Sequence, residues 1–160
     1  MLSVYLICVG KLKERFYLDA AAEYQKRLTS YCKLTLVELP EEKLPQNPTQ
    51  GQIDQALAKE AQAIRGKLPP SASLVALCVE GRERSSEDFA QLLSTWEHSS
   101  AKHLAFVIGG SYGLDPGLKA EAWVRLSMSP MTFPHHLARV MLLEQLYRAF
   151  KIQEGSHYHK

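Results

Sequence analysis

The last part of the chain reads Pro134-His-His-Leu-Ala-Arg-Val-Met-Leu-Leu-Glu-Gln-Leu-Tyr-Arg-Ala-Phe150, and it ends in Gly155-Ser-His-Tyr-His-Lys160. The first stretch has the spacing of a helix that is apolar on nearly every side, and the second is polar, aromatic and cationic. Chain termini are usually frayed and chemically bland, whereas residues 134–160 hold four of the six histidines. We therefore expect a helix that a partner surface helps to bury, and a tail that lies over a site.

Upstream of this helix, short apolar runs alternate with segments of helical spacing. The predicted strands are Ser3–Val9, Lys33–Leu39, Leu74–Val79, His103–Ile108 and Val124–Met128. The predicted helices are Glu14–Leu28, Gln52–Leu68, one that begins at Ser85, Pro116–Ala122 and Pro134–Phe150. Because continuously apolar strands are covered on both faces, the pattern predicts an α/β fold with a mainly parallel sheet. Residues 40–49 contain three prolines, which predicts a loop and the most mobile segment of a single domain spanning 1–160.

Composition is typical of one globular domain. The 160 residues suffice for one core, and the apolar share of 46% is ordinary. A formal net charge of +2 neither establishes nor excludes nucleic-acid binding, because the local distribution of charge matters more than its sum. Cys8, Cys32 and Cys78 form no CxxC pair, which favours reduced, buried thiols. With no signal peptide and no apolar run near the roughly 18 residues of a membrane helix, a cytoplasmic protein without membrane contact is expected.

Three loops follow predicted strands, and ligands of open α/β sheets bind beyond such carboxyl ends. They begin with Glu80-Gly-Arg82, with Gly109-Gly-Ser-Tyr-Gly-Leu114, and with Ser129-Pro-Met-Thr-Phe-Pro134. The second, the glycine loop (Gly109–Leu114), matches neither a Walker A nor a GxGxxG motif, and it is equally consistent with a tight strand-to-helix turn. In the third, the proline loop (Ser129–Pro134), Met131 and Phe133 fit either an apolar wall for a flat ring or ordinary core packing.

The last helix carries charged residues among its apolar ones. Glu144 and Arg148 are spaced i,i+4, which predicts a partly buried structural pair. Arg139 lies near the helix N-terminus, where an exposed cation opposes the helix dipole. Contact with an anion such as an RNA phosphate would explain it, although a solvated arginine is equally consistent. The spacing of the histidines predicts no metal site.

These segments together resemble a known family, the bacterial 23S rRNA pseudouridine N3-methyltransferases of the SPOUT, or α/β-knot, superfamily. The resemblance rests on Phe106–Leu114, Leu126–His135, Leu143–Phe150, the ending Tyr158-His-Lys160, the opening Val9-Gly-Lys-Leu-Lys-Glu14, and Leu77-Cys-Val-Glu-Gly81 with its less usual Cys78. It covers the whole chain, and the motifs are highly specific in combination.

The resemblance implies a parallel-sheet SPOUT fold with a C-terminal trefoil knot, a homodimer, and S-adenosyl-L-methionine as methyl donor. Topology rules alone would not propose a knot. The implied cofactor contacts are Leu77, Gly109, Met128, Ser129, Pro130, Met131, Thr132 and Phe133, all at or near the three strand ends. The position of Pro130 is often basic in related enzymes, which matters little if it contributes only backbone.

The implied substrate is a pseudouridine of a 23S rRNA hairpin, methylated at N3 on the assembled 70S ribosome. N3 is a weakly acidic imide and must lose its proton, so a base or a stabilising cation is expected. The candidates are His135, Arg139, Tyr158 and His159, and the tail could cross to the partner's cofactor. The alternatives are a SPOUT methyltransferase acting on tRNA or another rRNA base, and a non-catalytic ribosome-associated factor.

Overall fold

Each predicted apolar run forms a strand, and each segment of helical spacing forms a helix. The computed structural model describes residues 1–160. In chain order the elements are β1 Leu2–Val9, α1 Arg15–Leu28, β2 Cys32–Leu39, α2 Gln50–Lys67, β3 Ala72–Glu83, α3 Ser86–Glu97, β4 His103–Ile108, α4 Pro116–Glu121, β5 Val124–Ser127 and α5 His135–Gln153. The predicted alternation is therefore confirmed.

The five strands form one sheet in the order β2-β1-β4-β3-β5, and all four neighbouring pairs are parallel. This confirms the predicted α/β fold class. Strand β3 runs past its predicted end at Val79, because Leu126 of β5 pairs first with Leu77 and then with Arg82. The residues between, 78–81, therefore bulge out of the ladder beside the carboxyl end of β5.

Helices cover both faces of the sheet, which explains why the strands lack an alternating pattern. In β1, Val4 and Leu6 belong to a core shared with α1, α3 and α5. Ile7 and Val9 belong to a second core shared with α2 and α4. The strands thus place apolar side chains on both sides, as parallel strands of α/β proteins do.

Helix α5 lies on the same face of the sheet as α1 and α3. It packs against both helices and also contacts β4. Leu142, Leu143 and Leu146 are fully buried within the single chain. Much of the apolar surface of α5 is therefore covered by its own chain. A partner surface would cover only the half-buried side chains that remain, such as Leu137, Val140 and Met141.

The connection between β2 and α2 is a loop, as its three prolines predict, and it is hydrogen bonded at both ends. Glu41 accepts a bond from the backbone N–H of Ser111 at 2.8 Å, and the backbone N–H of Glu42 donates to Glu60 at 2.9 Å. Thr49 begins α2 with a reciprocal capping box. These bonds attach the loop to the glycine loop on one side and to α2 on the other.

Candidate functional site

A cavity of about 650 Å³ lies at the carboxyl ends of β3, β4 and β5. The β3 bulge, the glycine loop, the proline loop and the start of α5 line it. Its volume lies within the range of small-molecule sites. The cavity stands where parallel α/β sheets bind ligands, because the carboxyl ends of the strands share one edge.

The cavity brings together seven of the eight residues predicted to contact a cofactor. They are Leu77, Gly109, Met128, Ser129, Met131, Thr132 and Phe133. Pro130 is exposed and does not line the cavity. Met131 is 71% exposed, which rules out core packing for that side chain. The proline loop is shaped by Ser129, which accepts a bond from the backbone N–H of Met131 at 3.0 Å.

Close backbone contacts fix the glycine loop. A Cβ at Gly109 would lie 2.3 Å from the carbonyl oxygen of Gly113, so no side chain fits there without moving the backbone. Gly113 has φ +80°, a conformation that glycine adopts without steric cost. A Cβ at Gly110 would lie 2.6 Å from Oε1 of Glu41, the carboxylate that also accepts the bond from Ser111. The loop is thus a preformed backbone surface supported by the neighbouring β2–α2 connection.

An ion pair that the sequence did not predict borders the cavity. Lys119, on α4, donates to the carboxylate of Glu80, on the β3 bulge. This bond is the main reason that the pKa of Glu80 is lowered. The two residues are far apart in sequence, and nothing in the spacing around Lys119 distinguishes it from an ordinary helix lysine.

His135 is the one catalytic candidate that lines this cavity. Its imidazole is half-buried, and burial is the main cause of a lowered pKa, with the neighbouring His136 adding to it. The ring sits over Gly10, where φ is +103° and a Cβ would lie 3.4 Å from Nε2 of His135. At neutral pH His135 is therefore an uncharged base at the edge of the cavity.

Arg139 is not the exposed cation that its position suggested. It is only 1% exposed and donates to Glu38 at 2.5 Å and to the backbone carbonyl of Gly10 at 3.0 Å. Glu38 also accepts a bond from the backbone N–H of Leu12 at 3.1 Å. Burial alone would raise the pKa of Glu38, but these hydrogen bonds and the charge of Arg139 outweigh it, so the pKa is lowered. Arg139 thus joins α5 to the β1–α1 turn and faces neither solvent nor the cavity.

The tail, residues 155–160, folds back on α5 and α3 of its own chain, away from the cavity. The Tyr158 ring packs edge-on against Tyr147 at 5.0 Å, and the Arg148 guanidinium lies 4.8 Å from its centre. The hydroxyl of Tyr158 donates to Glu144 at 3.3 Å. Burial and the charge of Glu144 raise the pKa of Tyr158, so this phenol stays neutral at physiological pH.

His159 has a partner for each ring nitrogen. Nδ1 lies 3.1 Å from Nη1 of Arg148, and Nε2 lies 2.6 Å from a carboxylate oxygen of Glu87. Because arginine only donates, Nδ1 accepts and Nε2–H donates to Glu87. Arg148 also pairs with Glu144 at 2.6 Å, and the two side chains are 25% and 17% exposed. This confirms the predicted partly buried pair and gives it a further role in holding the tail.

Two other features bear on the classes of function considered. The structure has no group of three His, Cys, Asp or Glu side chains arranged to hold a metal ion. The rings of His135 and His136 lie 4.1 Å apart, and His136 faces Glu14 at 3.8 Å. None of the helices has the length and apolar character needed to span a membrane.

Comparison with known proteins agrees with this architecture. A family model described as a predicted SPOUT methyltransferase matches residues 2–159. The chain is also similar to several proteins named ribosomal RNA large subunit methyltransferase H. One from Streptococcus mutans is 47% identical over 159 residues, which are 99% of this chain and 100% of the relative.

Two relatives of the same name come from other genera. The protein of Bifidobacterium adolescentis is 45% identical over 159 residues, and that of Levilactobacillus brevis is 44% identical over 162. Each alignment covers 99% of this chain and 100% of the relative. The resemblance seen in the sequence motifs is thereby confirmed, and the chain belongs to the SPOUT methyltransferase family.

Proposed function

We propose that this protein is an S-adenosyl-L-methionine-dependent methyltransferase that methylates N3 of a pseudouridine in 23S rRNA on the assembled 70S ribosome. The observation that carries the proposal is the cavity itself. Three loops converge at the carboxyl ends of β3, β4 and β5, with an uncharged histidine at their edge. Full-length relatives named as large-subunit rRNA methyltransferases support the RNA substrate.

The residues present fit the proposed cofactor. The cavity combines apolar side chains, among them Leu77 and Phe133, with the exposed backbone of the glycine loop. The close approach of Gly109 to Gly113 leaves no room for a side chain at position 109, so only backbone lines the cavity there. Such a surface suits an adenosine ring and the hydrogen-bonding groups attached to it. When bound, S-adenosyl-L-methionine supplies a methyl group that is already activated on a sulfonium sulfur.

The chain's own contribution is to position the acceptor and to take its proton. The imidazole of His135 would accept the N3–H proton of the acceptor as N3 takes up the methyl group that the bound cofactor would supply. The His135 imidazolium then releases the proton to solvent. Arg139 is a positioning residue for this step, because its hydrogen bond to the Gly10 carbonyl holds the turn against which the His135 ring packs.

Tyr158 and His159 are proposed to act in the active site of a second subunit. Neither lines the cavity of its own chain, so a catalytic role requires the tail to leave its position or to serve the partner's site. We infer a symmetric homodimer in which the tail reaches the partner's cavity. The proposal also includes a C-terminal trefoil knot and a cytoplasmic location, both of which the family implies.

The test uses purified protein, labelled S-adenosyl-L-methionine, and ribosomes from a strain lacking this gene. 70S particles, free large subunits and naked 23S rRNA are assayed side by side, and the product is mapped by mass spectrometry. We expect label on N3 of a pseudouridine, with 70S particles as the best substrate. Label on tRNA or on another rRNA base would reassign the substrate. Tight cofactor binding without transfer to any RNA would contradict the proposed reaction.

A further inference from the structure

A second depression adjoins the cavity and shares a residue with it. This polar basin has a volume of about 760 Å³ and is lined by the β1–α1 turn, the β2–α2 connection and the first two residues of α5. His135 lines both the polar basin and the cavity. A molecule in the basin would therefore meet the same imidazole that faces the cavity.

The acidic side chains of the polar basin all have partners. Glu38 is held by Arg139 and by the backbone of Leu12. Glu41 accepts a bond from the backbone of Ser111, and Glu14 lies 3.8 Å from His136. Glu38 and Glu41 are thus committed to hydrogen bonds within the protein, whereas Glu14 only faces His136.

The two lysines of the polar basin differ from the carboxylates. Lys11 and Lys13 line it, both are exposed, and neither forms a salt bridge within the chain. Between them Leu12 is 4% exposed, so the turn is anchored in the core while the lysines remain accessible. The charge of Lys11 helps to lower the pKa of Glu38, but neither lysine is in direct contact with a carboxylate, so both ammonium groups are free to bind an anion from outside.

The turn that carries the lysines is rigidly placed. The backbone N–H of Gly10 donates to Leu39 at 2.7 Å, and its carbonyl accepts from Arg139 at 3.0 Å. Together with the Leu12–Glu38 bond, these contacts fix the turn on β2 and α5. The lysines therefore sit at a set place relative to His135, as a binding site requires.

We propose that the polar basin receives the acceptor nucleotide, with an RNA phosphate on Lys11 and Lys13 and the base directed to His135. The proposal rests on the proposed function and deepens it, since it assigns the acceptor a place distinct from the cofactor cavity. The polar lining suits a ribose-phosphate and a base with hydrogen-bonding edges. A base splayed out of an RNA loop is the form in which proteins usually read single-stranded RNA.

The test compares wild-type protein with K11Q/K13Q in steady-state methylation of 70S ribosomes over a range of salt concentrations. We expect the KM for ribosomes to rise about tenfold, since binding to phosphates supplies much of the affinity for RNA. The slope of log affinity against log salt should become shallower by roughly 0.7 for each phosphate that the variant no longer neutralises. The Kd for S-adenosyl-L-methionine should stay unchanged, and K11R/K13R should restore the KM.

The matched control is K59Q/K67Q, which removes two exposed lysines from α2, outside the basin. It should keep the wild-type KM. An unchanged KM and salt slope in K11Q/K13Q, or a fall in kcat alone, would overturn the basin as the acceptor site while leaving the methyltransferase proposal standing. No transfer by the wild-type protein to any RNA would instead overturn the proposed function, and this assignment with it.

Discussion

At the scale of single residues, Gly109 carries the strongest steric constraint in the cavity. Replacing Gly109 with Ala places a Cβ 2.3 Å from the Gly113 carbonyl oxygen, so the glycine loop must shift. We expect the Kd for S-adenosyl-L-methionine, measured by calorimetry, to rise about tenfold or more, as overpacking by one methyl costs roughly 1–3 kcal/mol.

Gly66→Ala is the matched control for this substitution. Gly66 lies in α2 with nothing within 4 Å of its ideal Cβ. That change should leave the Kd unchanged and stabilise the fold by roughly 0.5–1 kcal/mol. A Gly109→Ala protein with wild-type affinity would mean that the glycine loop is not part of the cofactor site.

The lowered pKa of His135 predicts how the rate of methylation depends on pH. Its pKa lies below the ordinary value of 6.5, mainly because of burial and then because of His136. A base acts only when deprotonated, so activity should be complete at pH 7 and fall as the pH drops through the lowered pKa. The acid limb of kcat/KM, which reports the free enzyme, should thus have its midpoint below 6.5, and His135→Gln should lose most of the rate. A His135→Gln protein with full turnover and the same acid limb would exclude His135 as the base.

Arg139 is expected to matter first for stability. Arg139→Ala leaves Glu38 without its main partner and opens a space beneath the Gly10 turn, which should cost about 3 kcal/mol in urea unfolding. Because the pKa of Glu38 is lowered in the fold, the pair's contribution is present above the unfolded pKa of that carboxyl. It is lost as the pH falls through the folded pKa.

The control for Arg139 is Arg15→Ala, which breaks an exposed pair with Asp19 whose side chains are 88% and 68% exposed. It should change the stability by less than about 0.5 kcal/mol. If Arg139→Ala unfolds at the wild-type urea concentration, the buried pair does not support the fold.

At the scale of elements, the success of prediction depended on how far apart in sequence the interacting residues lie. Strands and helices were predictable because the spacing of apolar residues within each segment indicates which of its faces are buried. The continuous apolar run of β1, for example, by itself indicates a strand buried on both faces. The three loops of the cavity were predictable for a related reason, since the carboxyl ends of parallel strands share one edge.

Interactions between distant segments could not be predicted in this way. Arg139 was expected to be exposed because its partner, Glu38, is 101 residues away. The β3 bulge depends on pairing with β5, and the Lys119–Glu80 pair depends on where α4 lies. Local spacing carries no signal for such pairs, although a charged residue within a dense apolar helix is itself a sign of a buried partner.

The tail is the element whose proposed role lies outside the cavity of its own chain. Deleting residues 158–160 removes the hydrogen bonds to Glu87, Glu144 and Arg148 without altering the cavity. We expect methylation of ribosomes to be abolished while the Kd for S-adenosyl-L-methionine stays within about twofold, a change of under 1 kcal/mol. Normal turnover by the truncated protein would remove the tail from the mechanism.

At the scale of the whole molecule, the tail and the cavity raise the question of which subunit serves which site. His135 lines the cavity, whereas Tyr158 and His159 lie against α5 and α3. If a homodimer forms, each site can combine the His135 of one protomer with the tail of its partner. Light scattering should then give a mass of about twice the 18.0 kDa of one chain.

Mixed dimers test this division of labour directly. A His135→Gln protomer keeps its tail, and a protomer lacking residues 158–160 keeps His135, so each homodimer should be inactive. If the tail acts on the partner's site, a mixed dimer contains one complete site. Random pairing of equal amounts should then restore about a quarter of the wild-type rate, because half the dimers are mixed and each has one working site of two. If the tail acts only within its own chain, no mixed dimer has a complete site, and the rate stays at background even though light scattering still detects dimers.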